Sequence, residues 1–333
     1  MPGMIGPDAP WRRFRLPVRR LAHALMVLWA AFTVTFLLLR VLPADAIQIK
    51  FQNADLGLDA RQIADIRDAY GIDRPLWWQY GRALWDLLRG DFGLSIGSGV
   101  PVSDRLAASL PSTLWLAGLG SVLAAILAAI IAYGATLAPP ARLRSLFRAI
   151  PALFVSLPTF WLGIALIEIL SFRLGLLPVV GVEGWRALIL PVVTLAVPVS
   201  APLTQVLLQS IDEVMSRPFI QVARAKGAGR NRVFWLHVLR NALPSAMTMA
   251  GLMFGELLGG AIVTETVFGL NGIGRLTEEA VNSQDTQLLL AVTMLSATGF
   301  VLVNLLVDLL FPLLDPRLSG RSPVARGGVA WRS

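Results

Sequence analysis

Residues 110–137 read LPSTLWLAGLGSVLAAILAAIIAYGATL, 28 residues without one Asp, Glu, Lys or Arg. A helix rises 1.5 Å per residue and the hydrocarbon core of a bilayer is about 30 Å thick, so about 20 apolar residues cross it. A helix on the surface of a soluble domain would show a polar stripe over this length. This stretch has none, and its natural solvent is lipid. Its excess length leaves room for tilt or for projection beyond the membrane.

The same pattern recurs along the chain. Windows of similar length with few charges cover approximately 21–42, 146–170, 187–211, 244–264 and 288–313. An all-α integral membrane protein with about six transmembrane helices is expected. Of the 333 residues, 55% are hydrophobic and 15% charged, against about a quarter charged in soluble domains. The first window follows Arg12, Arg13, Arg15, Arg19 and Arg20, as a secretory signal would. It is longer than a signal's apolar core and no small-residue cleavage motif follows, so it reads as a retained span.

The charges between windows set the topology. Segments 1–20, 139–149, 212–243 and 314–333 total +14, whereas 44–109, 171–186 and 265–286 total −4. The positive-inside rule then puts both termini and the 212–243 loop in the cytoplasm. The net charge of +8 is thus a topology signal, and nucleic acid is not an expected partner. The expected organisation is a cytoplasmic tail (1–20), a first span (21–43) and a polar extracytoplasmic segment (44–109). A core (110–315) with its loop at 212–243 and a cytoplasmic tail (316–333) follow.

Within 44–109, Asp59 can cap a helix carrying Ile63, Ile66 and Tyr70 on one face and closed by Gly71. A second helix is expected from Asp73 and Pro75, with Leu76, Tyr80, Leu84 and Leu87 on one stripe, ending at Gly90. Both would lie on the outer membrane surface or cover the bundle. Pro151, Pro158, Pro191, Pro198 and Pro202 fall inside apolar windows, where they shape packing or serve as hinges. Gly251, Gly255, Gly259 and Gly260 suit close helix approach.

The chain has no cysteine and two histidines, His23 and His237, which excludes disulfides and leaves little for metal binding. No Gly-x-x-x-x-Gly-Lys-Ser/Thr loop, zinc-helix or Gly-x-Ser-x-Gly motif occurs. No catalytic, cofactor or metal residues are therefore expected. Three acids lie in or near apolar windows: Glu168, Glu256 and Asp308. An intramembrane charge must meet water, a partner or a proton. Glu168 and Asp308 sit near span ends, while the deeper Glu256 suits either a solute path or an interhelical hydrogen bond.

The most informative polar stretch starts at Arg217 and reads RPFIQVARAKGAGRNRVFWLHVLRNALPS. A helix over 219–226, a turn at Gly227-Ala228-Gly229 and a second helix over 232–243 stopped by Pro244 are expected. Such a basic, small-residue elbow is either a knob for another protein to grip or a loop held at lipid headgroups.

These residues closely resemble the inner-membrane permeases of ABC importers, in the dipeptide, oligopeptide and nickel uptake group. Gln221-Val222-Ala223-x-x-x-Gly227 lies where that superfamily carries Glu-Ala-Ala-x-x-x-Gly, and Ala-Arg-Ala-Lys-Gly stands unchanged at Ala223 to Gly227. YGIDRPLWWQY from Tyr70, GDFGLS from Gly90, PTFW from Pro158, GGAIVTETVFGLNGIGRL ending at Leu276 and NLLVDLLFPLLDPR from Asn304 extend the likeness from about residue 36 to 318. Departures are Gln221 in place of an acid, Gln205 and Gln209 in place of arginines, and Pro43-Ala44-Asp45-Ala46 in place of Pro-Gly-Asp-Pro.

The resemblance implies a type I ABC importer transmembrane domain in a bacterial inner membrane. It implies a second homologous permease, two ATPase subunits that bind ATP and Mg, and an external solute-binding protein. It also implies that Gln221, Ala223, Arg224, Ala225, Lys226, Gly227, Ala228 and Arg230 meet an ATPase. A stand-alone secondary transporter or channel would need its own ion site or a repeat, and a scaffold or sensor would need neither.

Overall fold

A computed structural model describes residues 11–41, 61, 74–179, 181 and 184–314. The expected helix from Asp59 to Gly71, the tail 316–333 and most of 44–73 lie outside the described residues. The described chain is almost wholly helical. Helix α1 spans Trp11–Val41, α2 Leu76–Arg89 and α3 Val102–Leu137. Next come α4 (Ala141–Ser156) and α5 (Thr159–Leu166), the latter widening into a π turn over Ile167–Arg173. A short 3-10 turn leads into α6 (Ile189–Met215), which is followed by α7 (Pro218–Ala225), α8 (Arg230–Val233) and a second π turn, Phe234–Leu239. The chain closes with α9 (Arg240–Phe268), α10 (Ile273–Asn282) and α11 (Thr286–Leu314).

Among the described residues, four stretches are long and apolar enough to cross a membrane unbent: 20–39, 102–137, 184–215 and 286–306. The third expected span is not one straight helix, because α4 and the α5 run meet at a bend of 101°. Leu157 is extended there (φ −88°, ψ 114°). The cause is Pro158, whose ring disfavours a helical residue before it and which has no N–H to continue the ladder. Pro151, Pro198 and Pro202 remain inside helices. The fifth expected window, 244–264, falls within α9, several of whose side chains lie outside the described residues.

Two further boundaries move. Helix α3 starts at Val102, capped by Pro101 (φ −52°, ψ 130°), so its first two turns belong to what reads by polarity as the outer segment. Pro244 does not stop the second elbow helix and is an interior residue of α9. The preceding π turn changes the register of backbone bonding, and the Asn241 side chain donates to the His237 carbonyl at 2.6 Å.

Helix α6 is the centre of the bundle, packed along α3 on one side and α9 on the other. Leu195 shows how close the approach is. A β-carbon at Gly120 of α3 would sit 3.0 Å from one of its methyls, and one at Gly260 of α9 would sit 2.9 Å from the other. Small residues open this packing where lipid provides no hydrophobic drive between helices. A β-carbon at Gly259, by contrast, meets no described residue of this chain within 4 Å.

Three buried clusters divide the molecule along α3, which is roughly 54 Å long at 1.5 Å per residue. Val102 and Leu106 join Ile273, Leu276 and Leu288 at one end, while Leu116 and Ala124 join Leu195 and Val199 in the middle. Ala128, Ala132 and Ala135 meet α6, the elbow and the start of α9 at the other end. Helix α1 packs on α11 and leaves Leu25, Trp29, Val34 and Leu38 exposed, as a lipid-facing helix does.

Candidate functional site: the basic elbow

The elbow forms because each local signal agrees with the next. Arg217 is extended (φ −71°, ψ 144°) before Pro218, and Pro218 opens α7 where its missing N–H costs nothing. Helix α7 ends in a left-handed cap. The Gly227 N–H donates to Arg224 O at 2.9 Å and the Ala228 N–H to Ala223 O at 3.1 Å, with Gly227 at φ +83°. This is the paired arrangement that closes a helix at a left-handed residue, and only glycine adopts it without strain. Among the described residues, nothing lies within 4 Å of a β-carbon built there. Backbone conformation, not intramolecular crowding, is therefore what selects glycine.

The root of the elbow is apolar. Ile220, Val233, Phe234 and Val238 are buried against Leu207, Ile211 and Val214 of α6 and the alanines of α3. Each such burial is worth about 1.5–3 kcal/mol relative to exposure. Phe234 also meets the Tyr133 ring edge-on, with centroids 5.6 Å apart. Arg230 donates to the Thr136 carbonyl at 3.2 Å, a cation on the C-terminal end of α3 where the helix dipole favours it. At the rim, Arg148 grips Asp212 through two hydrogen bonds of 2.8 Å.

The tip is open. Gln221, Arg224, Ala225, Lys226, Gly227 and Arg230 are exposed, while Ala223 and Ala228 are half-buried against the root. All eight expected residues thus cluster on one short structure. Phe219 and Val222 also stand exposed, at 40% and 54%, and with Ala225 they form an i, i+3, i+6 apolar stripe on α7. Neither is among the expected contacts, although their spacing is visible in the sequence. From Arg230 the chain is continuously helical through α8, the π turn and α9 to Phe268.

The intramembrane acids fare differently. Glu168 is exposed and pairs with Arg173 at 3.0 Å. Glu256 lies in α9 and Asp308 in α11, but their side chains lie outside the described residues. The buried acids that organise the structure are two others. Glu265 is wholly buried and accepts from the Thr113 hydroxyl at 2.6 Å, from Gly274 N at 2.6 Å and from Arg275 N at 3.3 Å. Asp285, also wholly buried, accepts from the Ser95 hydroxyl at 2.5 Å, from Gly97 N and from Leu288 N. The only sequence signals were the acid at the edge of an apolar window and the Gly272-x-Gly274 that follows it. Among the described residues, no three His, Asp or Glu side chains gather as a metal site.

Comparison with known proteins agrees with this architecture. Residues 107–320 match the family described as binding-protein-dependent transport system inner membrane component, and residues 13–117 match its N-terminal companion. The glutathione transport system permease protein GsiC of Escherichia coli K12 is 37% identical over 304 residues, covering 90% of this chain and 97% of that one. Its counterpart in Salmonella paratyphi A is 35% identical over 301 residues, with the same coverage. The inward-facing MetNI methionine ABC transporter superposes at a TM-score of 0.54 and 18% identity, over 63% of this chain and 96% of that one. That likeness concerns fold. The chain therefore belongs to the binding-protein-dependent transport system inner membrane components, the permeases of ABC importers.

Proposed function

We propose that the elbow of 218–239 is the surface through which a partner ATPase drives this permease, and that the cargo is a short peptide of the glutathione type. The observation that carries the first part is an exposed, small-residue tip on a buried apolar root, continuous with the span α9. An ATPase pair closing around ATP and Mg would move the tip, and α9 would carry the displacement into the bundle. The permease itself supplies no nucleotide site. ATP favours one conformer only through such differential contacts.

The full importer would contain a second homologous permease, two ATPases and an external solute-binding protein. Both termini and the elbow would face the cytoplasm, and α2 with its following turns the outside. The likeness to GsiC supports a peptide cargo, although selection among peptides rests mainly with the binding protein.

Two experiments test these statements. In the cysteine-free chain, Arg230→Cys should resist an impermeant thiol reagent in cells with a permeabilised outer membrane, while Ser103→Cys should react; the reverse result removes the topology. The assembled importer in proteoliposomes should accumulate labelled glutathione or a dipeptide only with ATP and its binding protein. Exchange by the permease alone would replace this reading with that of a secondary transporter.

A further inference from the structure

Helix α2 has two faces with different fates. Tyr80 turns inward, meeting the rings of Phe32 and Phe36 at 5.3 and 5.4 Å and sharing a 2.8 Å hydrogen bond with the Thr33 hydroxyl. On a second stripe, turned away from Tyr80 by roughly a quarter of the helix circumference at 3.6 residues per turn, Trp77, Gly81, Trp85 and Leu88 follow one another at helical spacing. Trp77 is 75% exposed, Trp85 56% and Leu88 73%. Two arginines flank the stripe with their guanidiniums on tryptophan rings, Arg82 at 5.4 Å over Trp78 and Arg89 at 4.6 Å over Trp85.

We propose that α2 lies in the membrane–water interface, its Trp77–Gly81–Trp85–Leu88 stripe against acyl chains and Arg82 and Arg89 beside anionic phospholipid headgroups. Depth is the first argument. The charge-free run of α1 ends where Arg40 follows Leu39, and Thr33 lies six residues before Leu39, roughly 9 Å along the helix at 1.5 Å per residue. Tyr80 therefore ties α2 to the level where hydrocarbon gives way to headgroups, and an amphipathic helix buries its apolar face about 5–10 Å there. Continuity is the second, because the neighbouring face of α1 exposes Val34, Leu37 and Leu38 to the same solvent. Chemistry is the third: tryptophan has an apolar body and a donor that suits this zone, and arginine reaches phosphate oxygens from it.

The test uses the assembled importer in liposomes containing phosphatidylglycerol, with partner subunits cleared of reactive cysteine. Gly81→Cys and Leu88→Cys are spin-labelled separately, and collision with oxygen is compared with collision with the polar relaxer NiEDDA. A β-carbon at Gly81 meets nothing within 4 Å, so this variant should fold; each is scored only when it copurifies with its ATPase. Oxygen access several times that of NiEDDA at both sites is expected. Replacing phosphatidylglycerol with a zwitterionic lipid should raise NiEDDA access, and no change would remove the headgroup contact. Two outcomes overturn the proposal: greater access to NiEDDA, which marks a face for water or a soluble partner, and loss of access to both reagents, which marks burial against a second permease.

Discussion

The two ends of the bundle are held by opposite means. At the basic end, the elbow stands on Ile220, Val233, Phe234 and Val238, and Gln221, Arg224 and Lys226 at its tip are exposed. At the acidic end, apolar contacts among Val102, Leu106, Ile273 and Leu276 are supplemented by two buried carboxylates. Glu265 joins α9 to Thr113 of α3 and to the start of α10, and Asp285 joins the start of α11 to the turn at Ser95 and Gly97. Apolar contacts lack direction and tolerate some sliding, whereas a buried carboxylate fixes each donor and leaves it costly to lose. On the proposed function, the exposed tip at one end is the surface offered to the ATPase, whereas the carboxylates at the other form a tertiary lock.

Substitutions separate these roles. Gly274→Val should have the largest structural effect, because its β-carbon would collide with the Ile262 backbone and the Glu265 carboxylate. Backbone cannot step aside, so a loss above about 3 kcal/mol is expected, read as absence of the protein from the membrane. Glu265→Ala strips acceptors from Thr113 and two backbone N–H groups and should cost about 3 kcal/mol. Thermal unfolding in detergent would register it. If Glu265→Ala melts like the parent protein, the acidic end is not a lock.

The elbow should respond in the opposite pattern. Gly227→Val forces a branched residue into the left-handed region, at about 1–2 kcal/mol, so insertion and membrane abundance should persist. ATPase copurification or coupled uptake should nevertheless fall sharply, and Ala225→Trp should act alike with still less effect on stability. Full assembly and coupled uptake by both variants would remove the elbow from transmission. The smallest effect is expected from Arg148→Gln. Its pair with Asp212 is roughly half exposed on both sides, and such ion pairs contribute about 0–1 kcal/mol; a larger loss of uptake than of stability would extend the coupling surface to α4.

Much of this was legible in residue order. The bounds of α2 follow from Pro75 and Gly90, since proline suits a helix start and Gly90 takes φ +76° at its end. The turn at Gly227 is as local, requiring only its own φ and two neighbouring carbonyls. The broken span was half legible. Pro158 reads in sequence as packing or a hinge inside one span, whereas the break and its 101° angle depend on how α5 packs against α6 and α9. Pro244 misled, because whether a helix survives a proline depends on who satisfies the freed groups, and here a π turn upstream alters the pattern. Glu265 was counted as one charge in a polar loop. Its partners Thr113 and Gly274 lie 152 and 9 residues away, and no periodicity links them.

The sequence by itself determined the solvent, the charge asymmetry of the two ends, the elbow and its family, because each rests on composition or on neighbours within a turn or two. Tertiary structure alone decided which acids are buried, which glycines receive a side chain and which face of α2 is bare. Those properties depend on contacts between segments far apart in the chain: Leu195 fills Gly120 and Gly260, and Thr113 reaches Glu265, only once the helices have been brought together.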